Sequence, residues 1–210
     1  MVIHKKKEKR MGKKKNSEKY HRIIAAATSV FAKKGFYQSK ISEIAREAQV
    51  ADGTVYIYFD NKDDILICLF EEQMQMVLDN MMNHLTGIDD PIKKLEKFAM
   101  THLELIEGNP DVAEIIQVEL RQSGKFMKEY RNEKFFQYLD IIGNIVKEGQ
   151  EKGLFKEEII PIVAKRAFFG ALDEVSRHWV LSSRKQYDIR VTAKQISSYF
   201  LSGIMTNSQG

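Results

Sequence analysis

Very small, hydroxyl-bearing and basic side chains gather in one short segment of the chain. Gly53 permits a close approach of the backbone to another molecule. Thr54, Tyr56 and Tyr58 offer hydroxyls that can bond phosphate oxygens or base edges. Lys62 adds a cation near an expected helix start, where free backbone N–H groups also favour phosphate. These residue types predict a contact with nucleic acid.

The apolar residues of the same segment predict the helix that presents those groups. Val55 and Phe59 are four residues apart and can pack on one side of a helix over about residues 52–59. Another short helix, at residues 41–48, precedes it across a brief turn at 49–51. Two short helices joined in this way form a helix-turn-helix, whose second helix fits a major groove ~12 Å wide.

The basic residues are concentrated at the start of the chain. The first 60 residues hold 14 Lys and Arg against 6 Asp and Glu, whereas the remaining 150 hold 19 against 23. A local basic surface attracts DNA phosphates and binds them through counterion release. A solubilising tail is the alternative, because eight of the 14 cations lie in residues 5–15. Charge alone leaves both interpretations open.

Helical periodicity and few chain breakers predict an all-α protein. The chain contains only three prolines, and apolar residues recur every three to four positions. The one brief strand candidate is at residues 56–59, and Ser17, Ser39 and Asn61 are candidate helix caps. Nine helices are expected, at about 17–34, 41–48, 52–59, 61–85, 91–107, 111–122, 125–152, 161–183 and 189–205.

These elements divide into a basic start, a head and a larger helical domain. Residues 1–16 are low in complexity and are expected to be a disordered basic tail. Residues 17–61 form the expected helix-turn-helix DNA-binding domain, and residues 62–210 a helical ligand-binding and dimerisation domain. A single cysteine, Cys68, and the lack of a long apolar segment predict a cytoplasmic protein.

No residue constellation typical of an enzyme or a metal site stands out. Asp173 and Glu174 are adjacent on an expected helix and therefore point in different directions. The sequence has no glycine-rich phosphate loop and no nucleophile motif. The five histidines lack metal-ligand spacing: His4, His21, His84, His102 and His178. We therefore expect no enzyme, no metal and no cofactor other than a small effector.

Residues 41–66 resemble the signature of the TetR family of bacterial regulators. They read ISEIAREAQVADGTVYIYFDNKDDIL, and the similarity is dense over residues 23–69. Members of that family are nine-helix homodimers with an N-terminal DNA-binding head and a C-terminal ligand domain. The resemblance therefore implies a repressor that binds a palindromic double-stranded DNA operator as a homodimer.

The resemblance also implies which residues touch DNA. The turn is a departure from the family, which more often has Gly at position 49 and Ser at position 51, where this chain has Gln49 and Ala51. One possible hydroxyl contact is then missing, and the resemblance does not fix the geometry of the turn. The implied DNA contacts are Gly53, Thr54, Tyr56, Tyr58 and Lys62, with Ser39 and Lys40 near the DNA backbone.

Three further segments resemble the fatty-acid-degradation repressors of Bacillus and its relatives. They are residues 117–123 (QVELRQS), residues 170–174 (GALDE) together with Trp179, and residues 51–53 (ADG). The similarity extends over most of residues 17–206. It implies that long-chain acyl-CoA releases the protein from DNA and that the regulated genes serve fatty-acid degradation.

An acyl-CoA ligand would need an apolar tunnel between helices and cations at its mouth for the phosphates. A basic corner with Arg121, Lys125, Lys128 and Arg131 could supply the cations. An apolar stripe at helical spacing is, however, core more often than pocket. The ligand-binding candidates are Phe98, Leu103, Arg121, Phe126, Tyr130, Phe135 and Phe169.

A different ligand on the same fold stays open at this point. The aromatic pocket could admit hydrophobic drugs or cations, and the protein would then control an efflux pump. Glu104, Glu107 or Glu119 facing the cavity favours a cation, whereas Arg121 facing it favours CoA. An enzyme that binds acyl-CoA is the alternative of another class.

The last two expected helices carry large apolar residues suited to a dimer interface. Two such helices from each subunit would form a four-helix contact and place two heads on one palindrome. Packing within one subunit is the alternative. The interface candidates are Phe168, Leu172, Val175, Trp179, Ile196 and Phe200.

Overall fold

A computed structural model describes residues 17–116, 133–184 and 187–206. These ranges contain nine α-helices and a single antiparallel bridge, between Phe155 and Met205, so the all-α prediction is confirmed. The helices are α1 (Glu18–Lys34), α2 (Ile41–Glu47), α3 (Asp52–Tyr58), α4 (Lys62–Leu85), α5 (Pro91–Gly108), α6 (Pro110–Glu114), α7 (Glu133–Glu151), α8 (Pro161–Leu181) and α9 (Ile189–Ile204).

Most expected helices end within two or three residues of their predicted limits. The strand candidate at 56–59 is wrong, because the chain is helical up to Tyr58. The basic residues 1–16 lie outside the described residues, as does the stretch 117–132, into which the sixth and seventh helices were expected to run.

Side-chain caps explain why two of the helices begin where they do. Ser17 Oγ accepts a hydrogen bond from the backbone N–H of Tyr20 at 3.2 Å, at the start of α1. Asn61 Oδ1 accepts one from the N–H of Asp64 at 2.9 Å, at the start of α4. Each bond satisfies an N–H group that has no partner within the helix, and both caps were predicted.

The chain divides into two compact units that share α4. Of the described residues, the first unit contains 17–72 and 114–116, and the second contains 73–113 and 133 onward. α4 is one continuous helix of 24 residues. Its first eleven residues belong to the first unit and the rest to the second.

The core of the first unit is built on α1. α1 packs on α2, and α2 packs on α3. Ile23, Ala27 and Phe31 of α1 are fully buried, as their helical spacing predicted. Val55 and Phe59 are also buried, so α3 presents its other side to solvent.

The second unit is centred on α5, which packs on α7, α8 and α9. α8 also packs on α7 and α9. The buried residues at these contacts are mainly large and apolar, including Phe98 on α5 and Leu139 on α7. No helix in the described ranges is both long and apolar enough to cross a membrane.

Gly149, near the end of α7, marks a place where the core has no room for a larger residue. A Cβ atom there would lie 2.0 Å from Cδ2 of the Phe155 ring, which is fully buried. Phe155 also forms the bridge to Met205, so its backbone is held in place.

We expect Gly149→Ala to lower the free energy of unfolding by about 2 kcal/mol, because the ring must move out of a filled core. Urea denaturation at a fixed protein concentration measures this. Gly108→Ala is the matched control, since a Cβ at Gly108 meets nothing within 4 Å. Equal stability of the two variants would contradict the packing seen at Phe155.

Candidate functional site

The solvent-facing side of α3 holds three of the predicted DNA contacts. Gly53 is exposed, and a Cβ built on it meets nothing within 4 Å. Tyr56 is 56 % exposed, and Thr54 is half-buried. Ile57 is also 55 % exposed, although the sequence pattern did not single it out. α3 therefore offers a narrow surface of small, hydroxyl-bearing and apolar groups.

Tyr58 is less available than Tyr56 because its ring takes part in the packing of the head. Its ring centroid lies 6.3 Å from that of Tyr20 and 6.4 Å from that of Phe59. Tyr20 in turn stacks on Phe59 at 5.2 Å. Tyr58 is half-buried because its ring packs against the aromatic residues of the head, so only part of the ring is available for a contact with DNA.

The turn between α2 and α3 contains a residue with a left-handed backbone conformation, although the turn has no glycine. Gln49 has φ 54°, a conformation that costs a side-chain-bearing residue free energy. Arg22 of α1 donates to the carbonyl oxygens of both Ala48 and Gln49, the second at 3.1 Å. The guanidinium therefore stabilises a strained turn.

We expect Gln49→Gly to stabilise the protein by up to about 1 kcal/mol, because glycine adopts a positive φ without a steric penalty. Gln49→Ala is the control, since alanine retains the Cβ that causes the strain. Thermal or urea unfolding of the three proteins compares them. A gain from alanine equal to that from glycine would show that the glutamine side chain, and not the backbone, is unfavourable.

Ser39 does not occupy the position expected for a DNA contact or for a helix cap. Its side chain is buried, and its hydroxyl donates to the carbonyl of Gly35 at 2.7 Å. Lys40 occupies the N-cap position of α2 instead. Both expectations for the Ser39 side chain are corrected, because its hydroxyl closes the connection between α1 and α2 and faces the protein interior.

Lys40 keeps an exposed side chain at the start of α2. Glu43 accepts a hydrogen bond from the Lys40 backbone N–H at 3.0 Å. The carboxylate also pairs with Lys34 at 2.5 Å, and this hydrogen bond, together with the one from Lys40, holds the pKa of Glu43 below its usual value. The helix start is thereby fixed, and the Lys40 ammonium is left on the surface.

Lys62 has a set of partners that its sequence position did not suggest. Its ammonium donates to the carbonyl oxygens of Phe36 at 2.6 Å, Tyr37 at 3.2 Å and Ser39 at 3.0 Å. These oxygens belong to the connection between α1 and α2. In the DNA-free protein the ammonium therefore bonds the head, and its contact with a phosphate stays a prediction.

Three of the predicted ligand-binding residues form one aromatic cluster in the second unit. The ring of Phe135 lies 5.1 Å from that of Phe169, and Tyr138 contacts both Phe169 at 6.2 Å and Phe98 at 5.0 Å. Leu103 is buried but is five residues from Phe98, roughly 140° round α5. It therefore faces away from this cluster.

The remaining ligand-binding candidates cannot be compared with this geometry. Arg121, Phe126 and Tyr130 lie outside the described residues, as do Lys125, Lys128 and Arg131. Within the described ranges, no group of His, Cys, Asp and Glu side chains is placed to hold a metal ion.

A series of buried hydrogen bonds runs through the aromatic cluster. The residue spacing in the sequence did not predict it. His102 Nδ1 lies 2.8 Å from the Tyr138 hydroxyl, and Nε2 lies 3.4 Å from Ser176 Oγ. Ser176 donates its proton to the carbonyl of Leu172 at 2.8 Å. Nε2 must then donate to Ser176, and Nδ1 must accept from Tyr138. Burial lowers the pKa of His102 to about 4, so the ring is neutral at neutral pH.

Two of the acidic residues considered for a cationic ligand are engaged elsewhere. Glu104 lies 3.5 Å from Arg190 Nε, and Glu107 lies 3.7 Å from Arg190 Nη2. All three side chains are well exposed, so these are surface ion pairs between α5 and α9. Glu119 lies outside the described residues.

Two of the predicted dimer residues belong to the interior of a single subunit. Phe168 and Leu172 are buried, and the Phe168 ring packs on Phe200 at 4.6 Å. Their assignment to an interface is wrong, because α8 turns this face towards α5 and α9 of its own chain. Val175, Trp179, Ile196 and Phe200 are half-buried.

The opposite face of α8 carries exposed small and apolar residues in its first half and the Glu174–Arg177 ion pair in its second half, and α9 adds two exposed apolar residues. Val163, Val191 and Tyr199 are 59 %, 55 % and 70 % exposed. The exposed small and apolar residues of this face, called the α8–α9 face below, are Ile162, Val163, Ala167, Gly170, Ala171 and Leu181 on α8, and Val191 and Tyr199 on α9.

Both parts of the chain match known proteins. Residues 23–68 match the bacterial regulatory proteins of the tetR family, and residues 70–203 match the C-terminal region of YsiA-like proteins. The fatty acid metabolism regulator protein of Bacillus subtilis is 37 % identical over 191 residues, which cover 91 % of this chain and 98 % of the relative.

Solved structures of similar proteins show the same fold. The transcriptional regulator FadR from Bacillus subtilis, in complex with stearoyl-CoA, is 37 % identical with a TM-score of 0.82, covering 88 % of this chain and 99 % of that one. FadR from Bacillus halodurans is 36 % identical with a TM-score of 0.83, covering 90 % and 97 %. The protein therefore belongs to the TetR family of bacterial regulatory proteins, and it is a regulator and not an enzyme.

Proposed function

We propose that the protein is a homodimeric repressor of fatty-acid-degradation genes that binds a palindromic operator and leaves it when long-chain acyl-CoA binds. The observation that carries this proposal is the 37 % identity, over nearly the whole length of both chains, to a regulator whose structure holds stearoyl-CoA. Such a protein acts on DNA in the bacterial cytoplasm.

The exposed surface of α3 supports the DNA-binding part of the proposal. Gly53 leaves the backbone open to a close approach, and Tyr56 projects into solvent beside it. The buried side chains of Val55 and Phe59 pack the other side of the helix into the core of the head. Thr54, Tyr58 and Lys40 are the further candidates for contacts with DNA.

The aromatic cluster supports a hydrophobic effector. Phe98, Phe135 and Phe169 are brought together around Tyr138, in an environment suited to an acyl chain. Glu104 and Glu107 are paired with Arg190 at the surface, so they do not supply the carboxylate that a cationic drug would need.

Binding of operator DNA in the presence of acyl thioesters tests the effector. We expect stearoyl-CoA to weaken binding about 5- to 150-fold, the usual range for coupled sites. CoA alone and a short-chain acyl-CoA are the controls, and both should leave binding almost unchanged. Operator binding that is undiminished at saturating stearoyl-CoA would reject this effector.

The α8–α9 face is the proposed dimer interface, in place of Phe168 and Leu172. We expect Val163→Glu combined with Val191→Glu to give monomers, because buried unpaired carboxylates destabilise an apolar contact. Met82→Glu is the control, since Met82 is an exposed apolar residue of α4. Sedimentation velocity separates the outcomes, and a dimer that survives both glutamates would place the interface elsewhere.

A further inference from the structure

The outward side of α3 carries a large apolar residue, Ile57, that the sequence pattern did not single out. Its side chain is 55 % exposed, and that of the adjacent Tyr56 is 56 % exposed. Asp52 is the only charged residue in this seven-residue helix. The side of a surface helix that faces water usually carries charged residues. An exposed surface without charge therefore suits a partner that excludes water from it.

Helical spacing places Ile57 opposite the buried side of α3. Residues four apart lie about 40° from each other round an α-helix, so Ile57 shares a side of the helix with Gly53. Val55, two residues from each of them, is fully buried and points the other way. Gly53 has no side chain, and a Cβ built on it meets nothing within 4 Å. Ile57 is therefore the group that projects furthest from this side of the helix.

The chemistry of the major groove restricts what an isoleucine can recognise there. The side chain of Ile57 has no hydrogen-bond donor or acceptor. Every base pair presents hydrogen-bonding groups in the groove, and the one apolar group among them is the C5 methyl of thymine. An aliphatic side chain pressed against other base edges would remove water from polar groups without replacing its hydrogen bonds. Contact with a thymine methyl avoids this cost and buries apolar surface.

We propose that Ile57 is a specificity-determining residue, which selects thymine at one position of each operator half-site by packing on its C5 methyl group. Gly53 lets the backbone of α3 lie close to the base edges, and Ile57 then fills the space between the helix and the methyl group. The proposal rests on the proposed function, because it needs α3 in the major groove of a palindromic operator. Two-fold symmetry places the selected thymine once in each half-site.

Replacing thymine with uracil tests this contact, because it removes the methyl group and keeps the base pairing. The operator comes from selection with the wild-type protein, and each pair of thymines related by the two-fold axis is replaced in turn. We expect one such replacement to weaken binding about 15-fold, since each lost methyl contact lowers the affinity about fourfold. The thymine and uracil duplexes compete for the same protein, so their ratio does not depend on how much of a variant is folded.

The variant Ile57→Ala should bind the thymine and uracil duplexes almost equally, because the side chain that contacts the methyl group is gone. It should keep the fold, because Ile57 is exposed and alanine favours a helix. Tyr56→Phe is the matched control from the same surface of α3. It removes a hydroxyl and should retain the full preference for thymine, whatever the change in overall affinity.

Two results would overturn the role of Ile57 and leave the proposed function intact. If the wild-type protein binds its operator equally well with uracil at every position, it does not contact a thymine methyl. If the preference for thymine persists in Ile57→Ala, another residue makes the contact. If the wild-type protein selects no duplex at all, the proposed function fails, and the role of Ile57 fails with it.

Discussion

Removing residues 1–15 is expected to flatten the salt dependence of operator binding. In residues 17–60, six Lys and Arg face five Asp and Glu, so the described part of the head has almost no net charge. Arg22 is engaged with backbone carbonyls, and Lys34 with Glu43. The eight Lys and Arg of residues 5–15 therefore account for most of the net positive charge of the first 60 residues.

The size of this effect follows from counterion release. Each phosphate that a cation neutralises contributes about −0.9 to the slope of log K against log salt. If two phosphates meet this segment in each subunit, the slope of the truncated dimer is shallower by about 3.6, and its decrease in affinity between 50 and 200 mM salt shrinks by about two orders of magnitude. Replacing the eight cations with glutamine keeps the segment's length and should give the same slope. If both variants keep the wild-type salt slope, residues 1–15 do not neutralise DNA phosphates.

Acid is expected to destabilise the protein through His102 in particular. The pKa of His102 in the folded protein is about 4 because the ring is buried, although Asp173 opposes the shift; the ordinary value is 6.5. Between these values the unfolded chain binds a proton that the folded protein excludes. The stabilising contribution is therefore complete above pH 6.5 and is lost as the pH falls to 4. The loss corresponds to about 3 kcal/mol.

The hydrogen-bond chain gives the physical reason for this sensitivity. A protonated His102 would have to donate at Nδ1, where the Tyr138 hydroxyl now donates, and it would place a charge among Phe98 and Phe169. Urea denaturation from pH 7 to pH 4 should show a weaker pH dependence in His102→Gln than in the wild type. Leu172→Val, a core variant that retains His102, should be less stable at every pH and keep the wild-type slope. Identical slopes in wild type and His102→Gln would exclude this origin.

The starts of α1 and α4 and the buried side of α3 were predicted from the sequence, because they depend on residues only three or four positions apart. The caps at Ser17 and Asn61 bond N–H groups only three residues away, and the i, i+4 spacing of Val55 and Phe59 shows which side of α3 is buried. Such features need no knowledge of distant parts of the chain.

The sequence did not predict which way the polar side chains of the head point, because each of them can bond more than one kind of partner. A lysine or a serine can bond a phosphate or a backbone carbonyl equally well. Lys62 and Ser39 turn inward because carbonyl oxygens of the α1–α2 connection lie within reach. Only the folded connection brings Phe36, 26 residues earlier in the chain, next to Lys62.

The buried side of α8 is hard to predict because both faces of its first half carry apolar residues. Phe168 and Leu172 form one stripe, whereas Val163, Ala167 and Gly170 form another at the same helical spacing. Periodicity detects a stripe but does not say which one faces the subunit's own core. The large residues lie inside, where they fill volume, and the smaller ones lie on the surface. The presence of this second, smaller stripe was the signal that could have been used.

The pairing of His102 with Tyr138 and Ser176 also had no local signature. These residues are 36 and 74 positions apart from His102, on three different helices. Their contact depends on how α5, α7 and α8 pack, and side-chain spacing along one helix carries no information about that.

In vitro selection from a random duplex library, with elution by stearoyl-CoA, is the most direct test of a regulator that acyl-CoA releases from a palindrome. We predict that the immobilised protein enriches sequences with two-fold symmetry, whose half-sites are spaced for two copies of α3, and that stearoyl-CoA releases them at constant salt. The prediction would be contradicted if the selection enriched no symmetric sequence, or if the enriched sequences stayed bound at saturating stearoyl-CoA.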